Sequence, residues 1–257
     1  MAIEYVSVEE AMARKGLRMV VVGGVPSPWG EAAKGILHLK GIPWVAVRLA
    51  YDSDALKQWT GGQRNGPIAF YDDEPPRSGW AEILELAERL APSPALLPAD
   101  PAARAEMLAF WAELCGPGGL GWMRRLQLVH AGLQGGGGFA PPAAKYLARR
   151  YGYEAEAAAA YGPRVVEQLG ALAARLHAQR AAGSAYVFGQ AISVADIYCA
   201  SFVALFKPLA QDCCAMDPVT RAALETLDGP TAAALDPILI AHRDMMYARH
   251  LVLPLSL

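Results

Sequence analysis

Gly24-Val25-Pro26-Ser27-Pro28-Trp29-Gly30 decides how the first third of this 257-residue chain is read. An apolar run, Met19 to Val22, precedes it. A segment with apolar residues at helical spacing follows: Ala32, Ala33, Ile36, Leu37. The stretch therefore reads as a strand-to-helix turn. Such a turn aims unpaired backbone N–H groups at whatever lies beyond the helix N-terminus. Ser27 brings a hydroxyl to that place and Trp29 a broad apolar face. Ser followed by Pro is also ordinary grammar for starting a helix, so the pair alone leaves two readings open.

Working outward, residues 7–15 predict a short helix, with Ser7 as a possible cap. Leu17 to Gly23 is the first strand. The helix after the turn runs from Gly30 to Lys40, where Gly41 and Pro43 end it. Trp44 to Leu49 alternates and is rich in β-branched residues, predicting a second strand. A short irregular helix is expected over 53–60. Asn65-Gly66-Pro67 leads into a third strand, Ile68 to Tyr71, followed by a turn and room for another short strand. Ser78 is expected to cap a helix from Gly79 to Leu90, with Glu82 in its first turn. The strand–helix–strand unit favours parallel pairing.

Residues 91–101 hold four prolines in eleven positions and read as a stiff linker. Beyond it the pattern is helical throughout, with helices expected at 101–115, 119–134, 142–151, 153–181, 193–207, 217–227 and 231–250. Gly135 to Gly138 must interrupt any helix around it. The strongest local signal is Ile192-Ser193-Val194-Ala195-Asp196-Ile197. Ser193 is an N-cap, Asp196 can reach back to the Ser193 N–H, and Ile192 and Ile197 occupy staple positions. The reading is structural. The organisation is thus residues 1–91, a linker at 92–101, and an all-helical part at 102–257.

Composition excludes several classes. A net charge of −2 gives no electrostatic footprint for nucleic acid. No apolar run reaches the roughly eighteen residues of a membrane span. Met1 to Lys15 does not read as a secretory leader. Cys115, Cys199, Cys213 and Cys214 form no C-x-x-C pair, so a reducing cytoplasm is expected. The five histidines show no convincing metal spacing, and no metal is expected. Nor is there a dinucleotide fingerprint, a P-loop or a nucleophile elbow.

Taken together, these segments resemble the cytosolic glutathione transferases. Ser27-Pro28-Trp29 resembles the active turn of the serine- and cysteine-type classes. Pro67 resembles that family's cis-proline, and Ser193-Val194-Ala195-Asp196, following Tyr186 to Ile192, resembles its capping motif. The resemblance implies a thioredoxin-like α/β N-terminal domain followed by an all-α C-terminal domain. It implies glutathione as co-substrate, with its sulfur near Ser27 as the catalytic hydroxyl. Trp29, Gly66, Pro67, Arg77 and Ser78 are the implied glutathione contacts, with Gly66 pairing its backbone to the cysteinyl part. Gln63 and Arg64 stand where a cation would meet the glycyl carboxylate. Trp111 and Trp122, with Met123 and Arg124, would wall a pocket for a small apolar electrophile. A homodimer is implied as well.

One departure matters. The family pairs an acidic residue with a serine to hold the γ-glutamyl end. Here the pair is Arg77-Ser78 by distance from Pro67, or Gly79-Trp80 by register of the next helix. Neither supplies the acid. Two rivals follow: a non-catalytic binding or scaffold protein of the same fold, and a thiol-redox enzyme, which would need a cysteine where Ser27 stands.

Overall fold

The computed structural model describes residues 3–257. Met1 and Ala2, the start of the segment read for a leader, lie outside the described residues. Among the described residues the sheet has four strands in the order β1-β3-β2-β4. They are β1 (Glu4–Tyr5), β2 (Leu17–Val21), β3 (Trp44–Arg48) and β4 (Ile68–Tyr71). β1 and β2 both pair parallel to β3, and β4 pairs antiparallel to β2. Four helices accompany the strands: α1 (Val8–Ala13), α2 (Pro28–Leu39), α3 (Asp54–Trp59) and α4 (Trp80–Leu90). The parallel β2–α2–β3 unit is as expected. β1 is an addition, a two-residue edge too short to carry a sequence pattern. The short strand expected after β4 is a single antiparallel bridge, Ala69 to Arg77.

Eight helices follow: α5 (Pro101–Cys115), α6 (Leu120–Leu133), α7 (Pro141–Tyr151), α8 (Ala158–Ala181), α9 (Val194–Val203), α10 (Pro218–Glu225), α11 (Gly229–Ala234) and α12 (Pro237–Arg249). Two expectations need correction. The helix expected over 153–181 begins at Ala158, because the Tyr161 hydroxyl bonds both the N–H and the carbonyl of Glu154 and holds that segment as a loop. The single helix expected over 231–250 is two helices. Asp236 and Pro237 start α12 afresh: the Asp236 carboxylate accepts from the Ile238 N–H, and proline disfavours helix in the residue before it.

The proline-rich segment is fastened to both halves. Buried Lys40 donates to the carbonyls of Ala91 and Pro94, and Leu96 is buried between a Glu88 carboxylate on its N–H and the Val194 N–H on its carbonyl. One apolar core runs from the sheet through α2 into the helical half. α2 and α9 meet closely, and Gly35 makes this possible: a Cβ there would come within 2.9 Å of an Ile197 methyl. At the start of α9 the fully buried Asp196 ties the helical half together. It accepts from the N–H groups of Val187 and Ser193, from the Ser193 hydroxyl and from His242 Nε2, at 2.8–2.9 Å. Burial opposes a charge on His242, but Cys199 and Asp196 favour it, and its pKa is pushed up to about 10. Among the described residues no helix is long and apolar enough to cross a membrane.

Candidate functional site

Ser27 is the N-cap residue of α2, with Pro28 in the first helical position. The backbone follows the helix-start grammar, but the side chain does not: the Ser27 hydroxyl makes no capping bond. The first turn of α2 therefore keeps donors to spare, beside a hydroxyl that its own helix does not consume. Gly30 lies beneath it, close enough that an added Cβ would sit 3.8 Å from Ser27 Oγ. Trp29 is pinned rather than mobile. Its Nε1 donates to the Cys115 carbonyl at the end of α5, and its ring meets Phe202 of α9 edge-on at 5.2 Å. Gly121 makes room for this, since a Cβ there would lie 3.0 Å from the Trp29 ring. The turn is thereby clamped to the helical half.

Ser27 and Trp29 open onto a cavity of about 510 Å³ between the sheet half and helices α5, α6 and α7. Gly66 and Pro67 line the same cavity, and the bond between them is cis. Pairing of β2 with β4 ends at Val20 and Ile68, so Gly66 lies just past the ladder. Glycine suits this place, because a Cβ would come to a tight 3.2 Å from the Val22 N. Ser78 and Gly79 also line the cavity, where α4 begins. The expected cap is corrected here: Gly79 is the N-cap position. The Glu82 carboxylate, not the Ser78 hydroxyl, serves this helix start, accepting from the N–H groups of Ser78 and Gly79 at 3.1 and 2.8 Å. An acid thus does reach this spot, from one turn further along the chain.

Arg77 is not part of the cavity. Its guanidinium is held by Glu74 at 2.6 Å, and Glu74 is shared with Arg89. The two guanidinium groups hold the Glu74 carboxyl below the usual range. Arg64, by contrast, lines the cavity beside Asn65 and Gly66.

The far wall differs from expectation. Trp122 belongs to it, but Trp111 does not: it is fully buried in the core, packed on Tyr198 at 5.4 Å. Arg124 is buried too, donating to the carbonyls of Leu224 and Thr226 and to Gln127. Burial lowers its pKa to about 10, against support from Asp228. Its neighbour Arg125 is the cavity residue. One position on an α-helix is a rotation of about 100°, which separates core from cavity. Arg125 lies over the rings of Trp29 and Tyr151, at 5.8 and 5.6 Å. Trp122 meets Tyr151 edge-on at 4.7 Å and donates from Nε1 to its carbonyl. Tyr51, in the loop after β3, meets Tyr146 of α7 at 5.4 Å and closes the rim between the two halves. Burial, then Tyr146, pushes the Tyr51 phenol up to about 12, so it stays protonated.

Tyr51, Tyr146, Arg150 and Tyr151 were not singled out from sequence. Arg149 and Arg150 stand in the last turn of α7, where basic side chains complement a helix C-terminus. Among the described residues no group of three or more His, Cys, Asp or Glu stands close enough to hold a metal. All four cysteines are free. Cys115 touches the cavity wall, but burial pushes its thiol well above the ordinary value.

Comparison with known proteins gives the fold its name. No protein-family model matches the sequence, and no curated protein does. Solved structures do match in fold. A glutathione S-transferase from Methylobacterium radiotolerans, in complex with glutathione sulfonate, is 18% identical, with a TM-score of 0.62 over 91% of this chain and 92% of that one. Glutathione transferase Omega 3C from Trametes versicolor is 19% identical, with a TM-score of 0.58 over 94% and 89%. A glutathione transferase family member from Pseudomonas fluorescens Pf-5, with two glutathione bound, is 15% identical, with a TM-score of 0.56 over 92% and 97%. This chain has the glutathione transferase fold: a thioredoxin-like α/β part followed by an all-α part.

Proposed function

We propose that this protein binds glutathione at the Ser27 turn and activates its thiol for attack on a small electrophile held by the helical wall. The observation that carries this reading is the Ser27 hydroxyl. It stands at a helix N-terminus, makes no capping bond, and faces the cavity that Gly66 and Pro67 also line. A hydroxyl donor and the positive end of a helix both favour a thiolate over a thiol. Each unit by which the sulfur pKa falls corresponds to about 1.4 kcal/mol of preference for the thiolate.

In this reading Gly66, beyond the end of the β2–β4 ladder, pairs its backbone with the cysteinyl part of the tripeptide as an added strand. Arg64 meets the glycyl carboxylate. Ser78 offers its hydroxyl to the γ-glutamyl carboxylate, and Glu82, anchored one turn on, brings the negative charge that the ammonium needs. Arg77 has no part, being committed to Glu74. The fold neighbours that carry glutathione or its sulfonate support the choice of ligand. A thiol-redox role is disfavoured, because serine occupies the turn and the Cys115 thiol resists ionisation. The reading includes the homodimer implied by the resemblance, which sedimentation velocity tests.

Calorimetric titration with glutathione is the deciding test. Binding in the micromolar to millimolar range, weakened in an Arg64→Met variant, is expected. No heat at millimolar glutathione would leave a scaffold protein of this fold as the better account.

A further inference from the structure

The cavity carries a charge that the glutathione reading does not use up. Three arginines line it, Arg64, Arg125 and Arg150, and none of its lining residues is Asp or Glu. The nearby Glu82 carboxylate is bound to the Ser78 and Gly79 N–H groups at the start of α4, not on the helical wall that carries Arg125 and Arg150. Seven other arginines, Arg14, Arg77, Arg89, Arg164, Arg175, Arg221 and Arg243, each hold a carboxylate. Among the described residues no ion pair involves the three cavity arginines. Arg125 is the most telling. Its Nε is buried without a hydrogen-bond partner, and its guanidinium lies over the rings of Trp29 and Tyr151. A cation held on aromatic faces while its donors stay unfilled is prepared for an anion. If Arg64 takes the glycyl carboxylate, Arg125 and Arg150 remain, both on the helical wall beside Trp122 and Tyr151.

We propose that the helical wall selects a planar electrophile bearing a carboxylate, with Arg125 and Arg150 holding the anion and the Trp122–Tyr151 pair packing the ring. The inference rests on the transferase reading for its chemistry but not for its binding step. It replaces the purely apolar electrophile expected from sequence. For an aryl halide the step is a substitution. The glutathione sulfur attacks the ring carbon that bears chlorine, a C–S bond forms, and chloride leaves with the C–Cl bonding pair. The thiol proton has already gone to solvent. The arginines are specificity residues here, placing the carboxylate so that the reacting carbon faces Ser27.

The test uses meta-nitrobenzoate and its methyl ester, two ligands alike in shape and different in charge, titrated calorimetrically into the whole protein without glutathione. The acid is expected to bind about tenfold more tightly than the ester, as one charge-assisted pair supplies. Arg150→Met and Arg125→Met should each erode the preference, Arg125→Lys should retain part of it, and added salt should weaken only the acid. Arg150 is exposed, so its variant reads out even if Arg125→Met melts early. Equal binding of acid and ester, or a preference that survives in both Met variants, would overturn the inference. Turnover of para-chloro-meta-nitrobenzoate against its ester, each relative to the uncatalysed rate, separates the two claims. Catalysis without acid preference sinks the anion site and leaves the transferase reading. Acid-selective binding in a protein that binds no glutathione does the reverse.

Discussion

Four of the described helices begin with serine, and at two of them, α9 and α2, the serines do opposite things. At α9 the Ser193 hydroxyl donates to Asp196, whose carboxylate also holds two backbone N–H groups and His242, all of it buried. At α2 the Ser27 hydroxyl makes no bond to its own helix and faces a cavity. The same grammar, serine just before a helix, is spent on stability in one place and left available in the other. A polar group that is not used where it would ordinarily be used is the better pointer to chemistry.

The contrast can be broken by mutation, and the largest effect belongs to α9. Asp196→Asn removes the charge that His242 faces and leaves a buried network half satisfied. It should cost about 3 kcal/mol, a fall in Tm of roughly 10 °C for a chain this long. Urea unfolding checks it, and a loss under 1 kcal/mol would demote that network to decoration. Next comes pH. The His242 pKa is raised when folded, to about 10, from about 6.5 when unfolded. Its contribution to stability is thus fully present below about pH 6.5 and is lost as pH rises towards about 10. Stability should decline across that window in the wild type and less so in His242→Gln, measured by Tm at fixed ionic strength. Ser193→Ala should cost about 1 kcal/mol, the size of one buried hydrogen bond. Ser27→Ala should cost less than about 0.5 kcal/mol, since no cap is lost. If Ser27→Ala destabilises as much as Ser193→Ala, the two serines are alike and the contrast fails.

The sequence made one side of this comparison much plainer than the other. The Ser27-Pro28 helix start, the β2–α2–β3 unit and the Ser193–Asp196 pair rest on residues within a few positions of each other, so their chemistry can be read locally. The cis Gly66–Pro67 bond follows from no local pattern; the family resemblance alone implied it. The cavity was legible only in its floor. Its far wall brings Tyr51, Arg125, Tyr146 and Tyr151 together from a loop and two helices, and helical spacing does not tell which side of α6 faces inward. Hence sequence points to Arg124 where the wall has Arg125, and to Trp111, which fills the core. Glu82 reads from sequence as a first-turn acid, and the structure adds that its carboxylate reaches back to Ser78 and Gly79.

The central claim is that Ser27 is available to a sulfur and stabilises it as thiolate. The most direct measurement is the pKa of bound glutathione, followed by ultraviolet thiolate absorbance against pH, in wild type and Ser27→Ala. The account predicts a wild-type value below that of free glutathione and a rise of about one unit or more in the variant, equivalent to ~1.4 kcal/mol. Bound glutathione that titrates at the same pH in both proteins would contradict it.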